Sequence, residues 1–111
     1  MASNEGIMYK HFWSITKERK DNLIEKFSEE LPALRGKVGA SQEEVSSSIG
    51  ISRQTYSAYE NHSRPIPWSV FLALLFYFDY IPSTHYIIRR LGVFPDEIDQ
   101  CRHSGPLSQS K

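Results

Sequence analysis

The chain has little sulfur chemistry: one cysteine, Cys101, among 111 residues. A lone thiol forms no internal disulfide, so the fold does not depend on an oxidising compartment. Net charge is missing too, because thirteen basic side chains balance thirteen acidic ones. Any affinity for a charged partner must therefore come from local geometry rather than global attraction. There is no long hydrophobic run. The most apolar stretch, Val70 to Ile81, falls short of the roughly 20 residues that cross a bilayer, and Asp79 lies inside it. The opening "MASNEGIMYK" lacks a basic start followed by an apolar run, which reads as no secretory signal. The expectation is a cytoplasmic protein without a membrane partner.

Enzyme signatures are absent as well. There is no Gly-rich phosphate loop, no HExxH and no nucleophile motif, so neither catalysis nor a cofactor is expected. The four histidines (11, 62, 85 and 103) are scattered. Asp99, Cys101 and His103 lie close together, but one cysteine without a second ligand cluster reads as a helix end rather than a metal site.

What is present fits an ordinary globular chain: 40% hydrophobic and 23% charged residues, enough for one domain and one modest core. No strand-like alternation competes with helical spacing. The segment Lys17–Leu31 places Leu23, Ile24, Phe27 and Leu31 on one stripe. Pro32 is expected to end that helix or start the next, in which Leu34 and Val38 stand four apart before a stop at Gly39. Ser41 with Glu44 forms a capping box ahead of a helix whose buried stripe is Val45 and Ile49. Gly50 sits where a left-handed C-terminal residue belongs. Ser52 caps a third helix to Glu60, with Tyr56 and Tyr59 facing in. Pro67 opens a fourth helix, Ser83 caps a fifth that Gly92 closes, and Pro95 opens a short sixth. The reading is all-α: a compact bundle of five to six helices. Residues 1–16 are an arm, 17–80 the main domain, 81–102 a helical extension and 103–111 a disordered tail.

The break at Gly50 is the informative feature. Two short helices joined by a tight glycine turn form a helix-turn-helix. Val45 and Ile49 then point into the angle, small Ser46 permits the close crossing, and Ile51 plugs the corner. The side chains left outward at the start of the third helix are Arg53, Gln54 and Ser57, with Ala58 beside them. Arg can bond guanine O6 and N7 bidentately, Gln can do the same with adenine N6 and N7, and Ala58 can touch a thymine methyl.

The stretch "LRGKVGASQEEVSSSIGISRQTYSAYENHSRP" resembles the phage-repressor-type (Cro-like, Xre-like) helix-turn-helix family over about residues 33 to 80. Leu-Arg in the first helix, Ser-Gln opening the second, Gly at the turn, Ser-Arg-Gln-Thr opening the third and Tyr-Glu-Asn closing it carry the likeness. The resemblance implies that the third helix lies in the major groove of double-stranded DNA. It implies phosphate contacts for Gln42 and Asn61, and an internal ion pair between Arg35 and Glu60. Ser52 and Thr55 join the phosphate set as neutral donors, with Lys37 and Arg64 as its cations. One departure stands out. The family's Glu-Asn-Gly-Lys reads Glu-Asn-His-Ser here, so His62 replaces glycine, Ser63 replaces lysine, and Arg64 is the nearest substitute cation.

From Ala33 to Arg64 there are four basic residues (35, 37, 53, 64) and three acidic ones (43, 44, 60). A local charge of +1 implies weak nonspecific affinity per monomer. Two copies on a palindrome, with half-sites about 34 Å apart, would compensate. The expectation is a bacterial or phage transcriptional regulator, a repressor acting as a homodimer. Its seam would include part of the apolar fourth helix with Ile87, Ile88, Val93 and Phe94. The alternatives are an antitoxin-like regulator that binds a partner toxin through the C-terminal section, and a protein-interaction module that has lost DNA binding. The aromatics Tyr9, Phe12 and Trp13 read as an arm packed on the core, and 17–20 as a solvated helix face.

Overall fold

In the computed structural model, which describes residues 14–98, Leu23, Phe27, Leu31 and Leu34 all lie inside the protein. Their spacing of four, four and three keeps them on one side of a single helix, α1 (Lys17–Val38). Helix α1 continues through Pro32, so the expected break there does not occur. Proline removes one N–H from the i→i−4 ladder and crowds the preceding turn. Here it is exposed, and the buried leucines on either side hold the helix together. Thr16 caps the start by accepting from the Arg19 N–H at 3.1 Å. Gly39 ends the helix in the left-handed conformation, with its N–H on the Arg35 carbonyl.

Four more helices follow: α2 (Gln42–Ile49), α3 (Arg53–Glu60), α4 (Trp68–Tyr80) and α5 (Pro82–Leu91). Residues 96–98 are again helical. No strand occurs among the described residues, and the fold is a compact all-α helix-turn-helix bundle. Ser83 does not cap α5. Pro82 occupies its first turn and Ile81 stands at the cap position. The neighbouring Thr84 is fully buried and donates its hydroxyl to the Phe78 carbonyl at 2.7 Å, satisfying a group at the end of α4.

Helix α4 is the central post. Phe71, Leu74, Leu75 and Phe78 are buried against α1, α2 and α5. Phe27 meets Phe71 edge-on at 5.3 Å, and Trp68 stacks on Phe71 at 5.1 Å. Burying each such side chain contributes on the order of 2 kcal/mol. The chain after α5 is tied back to the start of α1. Arg19 donates to Glu97 at 3.1 and 3.4 Å, and Ile15 and Ile98 are both buried. Ile88 and Val93 are fully buried in this core and Phe94 nearly so. They are therefore unavailable for the expected homodimer seam. The tight α4–α5 turn folds α5 back on α4 and seals them within one protomer. Tyr9, Phe12, Trp13, Asp99, Cys101 and His103 lie outside the described residues.

Candidate nucleic-acid interface

Helix α2 begins with a complete capping box. Ser41 Oγ accepts from the Glu44 N–H at 3.0 Å, and Glu44 Oε1 accepts from the Ser41 N–H at 2.8 Å. It ends at Gly50, where φ is +82°. The Gly50 N–H meets the Ser47 carbonyl at 3.3 Å, and the Ile51 N–H reaches back to the Ser46 carbonyl at 3.0 Å. This double closure satisfies the last carbonyls of α2 and turns the chain sharply. Space around Gly50 is open, so glycine is required by the dihedral angle and not by crowding. Val45 and Ser46 are buried in the angle between the helices, with the Ser46 hydroxyl donating to the Glu43 carbonyl.

Helix α3 starts at a Ser52 cap, whose Oγ accepts from the Thr55 N–H at 3.1 Å. The Ser52 hydroxyl donates to Thr55 Oγ1 at 2.9 Å, so the two candidate phosphate ligands form one local cluster. Tyr56 and Tyr59 are buried on the inner face. Arg53 and Gln54 are exposed on the first turn, whereas Ser57 and Ala58 are half-buried. Ala58 is held down by the loop that follows, since its carbonyl accepts from the Ser63 and Arg64 N–H groups. The protruding part of the head is thus narrower than the four residues proposed from sequence.

Behind α3 lies a polar knot. Glu60 accepts from Arg35 Nε at 2.6 Å and from its second nitrogen at 3.1 Å. It also accepts from Tyr56 Oη at 2.6 Å and from Gln42 Nε2 at 3.0 Å. Arg35 spends a further donor on the Ala40 carbonyl. One carboxylate therefore links α1, α2 and α3. Burial alone would raise the Glu60 pKa. The bonds from Arg35, Tyr56 and Gln42 outweigh it and hold the group below the usual carboxylate range. Burial pushes the Tyr56 phenol up, and its bond to Glu60 pushes it further.

Gln42 thus braces the domain through one N–H of its amide, and the second N–H of the same group is the donor a phosphate would meet. Asn61 ends α3, and its Oδ1 accepts from the Ser63 N–H at 2.9 Å, so its amide N–H pair is what a phosphate would meet. Lys37 and Arg64 are both exposed. Arg64 shares a cleft with Asp21, Glu25 and Glu29 of α1. His62 adopts φ +65°, a left-handed conformation for which glycine is the ordinary choice, and its Nδ1 lies 3.2 Å from Ser28 Oγ. Sequence reasoning missed two members of this region. Tyr56 looked like a core residue only, although residues four apart on a helix are neighbours, which puts the Tyr56 hydroxyl within reach of Glu60. The Ser28 contact leaves no sequence signal, being 34 positions from His62.

Residues 26–79 match a family model described as a helix-turn-helix domain. The match takes in most of α1 and the whole of α2, α3 and the turn between them, and it supports a helix-turn-helix DNA-binding family, a class that is typically non-enzymatic. No curated protein and no solved structure matches the chain significantly. Among the described residues no helix is long and apolar enough to cross a membrane.

Proposed function

We propose that this chain is a sequence-specific double-stranded DNA-binding transcriptional regulator of the phage-repressor type, a cytoplasmic repressor acting as a homodimer on a palindromic operator. The observation that carries the reading is the division of α3. Its inner face is fixed by buried Tyr56 and Tyr59 and by the Glu60 knot, while Arg53 and Gln54 project from its first turn. A rigidly aimed first turn with a guanine reader and an adenine reader is suited to major-groove edges. Ser52 and Thr55 at that turn, and Gln42 and Asn61 at the far end of α3, are the neutral phosphate ligands, and Lys37 and Arg64 add charge.

Selection of bound duplexes from a random pool at moderate salt tests the reading. Enrichment of a two-fold symmetric motif is the expected result. Failure of the folded protein to enrich any motif would overturn it.

One observation favours a second reading, an interaction module that has lost DNA binding. Asp21, Glu25 and Glu29 face the cleft that holds Arg64, so the cation nearest the end of α3 sits in a negative field. Weak, salt-insensitive association with any duplex is the behaviour that reading expects.

A further inference from the structure

Past the end of α3 the backbone turns its donors inward. The Asn61 N–H bonds the Ser57 carbonyl at 3.0 Å, and the His62 N–H bonds the Tyr59 carbonyl at 3.2 Å. The Ser63 and Arg64 N–H groups both reach the Ala58 carbonyl, at 3.0 and 3.3 Å. Four successive amides are occupied, so a phosphate at these residues can be held only by their side chains. The Ser63 hydroxyl is turned inward as well, 3.4 Å from the same carbonyl. Arg64 lies in the cleft of Asp21, Glu25 and Glu29. The Asn61 amide and the His62 ring remain, and both residues are exposed.

His62 differs from its neighbours in two ways. Its φ of +65° is costly for an L-residue, and such a conformation persists only where its surroundings hold it. Its ring is oriented from another helix, because Nδ1 lies 3.2 Å from Ser28 Oγ on α1. A serine hydroxyl both donates and accepts, so this contact serves the neutral and the charged ring alike. It occupies one ring nitrogen and leaves Nε2 as the nitrogen open to a ligand.

We propose that His62 is a DNA phosphate ligand that acts as the imidazolium, donating Nδ1–H to Ser28 Oγ and Nε2–H to a phosphate oxygen. This assignment rests on the proposed DNA reading. Imidazole is the side chain whose charge ordinarily changes between about pH 5 and pH 8. A phosphate beside it favours the charged form. DNA binding therefore takes up a proton at His62, and affinity rises as the pH falls. The charged groups that share its cleft are Asp21, Glu25 and Glu29 of α1 and Arg64 of its own loop. The three carboxylates favour the imidazolium and Arg64 opposes it. The same carboxylates repel DNA, and a charge on His62 offsets that repulsion. Over Ala33–Arg64 it raises the net charge from +1 to +2, so one proton is a large part of the electrostatic attraction available here.

Fluorescence anisotropy of the full chain tests the assignment, on the selected duplex and on an unrelated one, between about pH 8 and pH 6 at constant ionic strength. Wild-type affinity should rise about tenfold on acidification. It should rise for both duplexes, because a phosphate contact carries no sequence information. The salt dependence should be steeper by about one at the lower pH. His62→Asn removes the titrating ring while tolerating the left-handed backbone, and should bind at every pH as the wild type does near pH 8. His62→Lys supplies a permanent cation and should bind at every pH as the wild type does near pH 6. A purely structural role for the ring would leave the salt dependence unchanged with pH. His62→Asn with the wild-type pH profile would overturn the assignment. So would a pH effect confined to the selected duplex, which would make His62 a base reader. If a motif is selected and either result follows, the DNA reading stands and this assignment alone fails. If the folded protein binds no duplex at any pH, both fail.

Discussion

Glu60 accepts two bonds from Arg35, at 2.6 and 3.1 Å, across 25 positions of chain. Tyr56 and Gln42 occupy the rest of its acceptor capacity. Because the folded pKa of Glu60 is depressed, the unfolded chain takes up this proton first as the pH falls. The stability due to the knot is full above the ordinary carboxylate value of about 4.3 and is lost as the pH drops through the lower folded value. Glu60→Gln leaves Arg35 without its counter-charge and should cost about 3 kcal/mol at neutral pH. That deficit, read from urea midpoints, should shrink as the pH falls below about 4.3. A deficit that is constant with pH would mean that Glu60 serves only as a neutral acceptor. Glu97, also depressed by its bond from Arg19, keeps some acid sensitivity in the variant.

Pro32 is a second test, this time of a stability the chain does not use. It is exposed inside α1, and the ladder there lacks the bond that residue 32 would donate to Ser28. Pro32→Ala restores the donor without touching the core. Stability should rise by about 1–3 kcal/mol, and for a domain of this size thermal melting should rise by several degrees. An unchanged or lower melting temperature would mean that the proline sets a bend on which the packing of Leu31 and Leu34 depends.

The same residue shows where sequence reasoning is sound and where it fails. The turn at Gly50, the capping box at Ser41 and the Ser52 cap are local, and each was legible from residues within four positions. Pro32 was misread because local propensity was given more weight than buried leucines on both sides of it. Ile88 and Val93 were misassigned to a seam because periodicity shows that a residue is buried without showing what buries it. The exposure of Phe76 and Tyr80 was not legible either, because every face of α4 is apolar. The partners of Glu60 come from three helices, and of these only Arg35 was suggested by resemblance.

His62 carries a third prediction. At φ +65° an L-residue with a β-carbon is strained by about 1–2 kcal/mol, and a β-branched one by more. His62→Gly relieves that strain but loses the 3.2 Å contact to Ser28 and gains unfolded-state freedom. Melting temperatures should therefore rank glycine close to the wild type, alanine below both and valine lowest. If valine melts with the wild type, the loop after α3 is not held in this conformation in solution.

Arg53 separates reading from folding. It is exposed on the first turn of α3 and takes no part in the Glu60 knot, so Arg53→Ala should leave stability within about 0.5 kcal/mol. On the selected DNA site the same change should cost about 1–3 kcal/mol and flatten the preference at one base pair while the others persist. Lys37→Ala is the contrast. A phosphate contact should weaken all duplexes alike and lower the salt slope by about one. Titrations of both variants against the site and its single-base substitutions distinguish the two roles. If Arg53→Ala weakens every sequence equally, Arg53 holds backbone and the base readers lie elsewhere on α3. If it changes nothing, the first turn of α3 does not enter the groove, and the exposed head must serve a partner other than DNA.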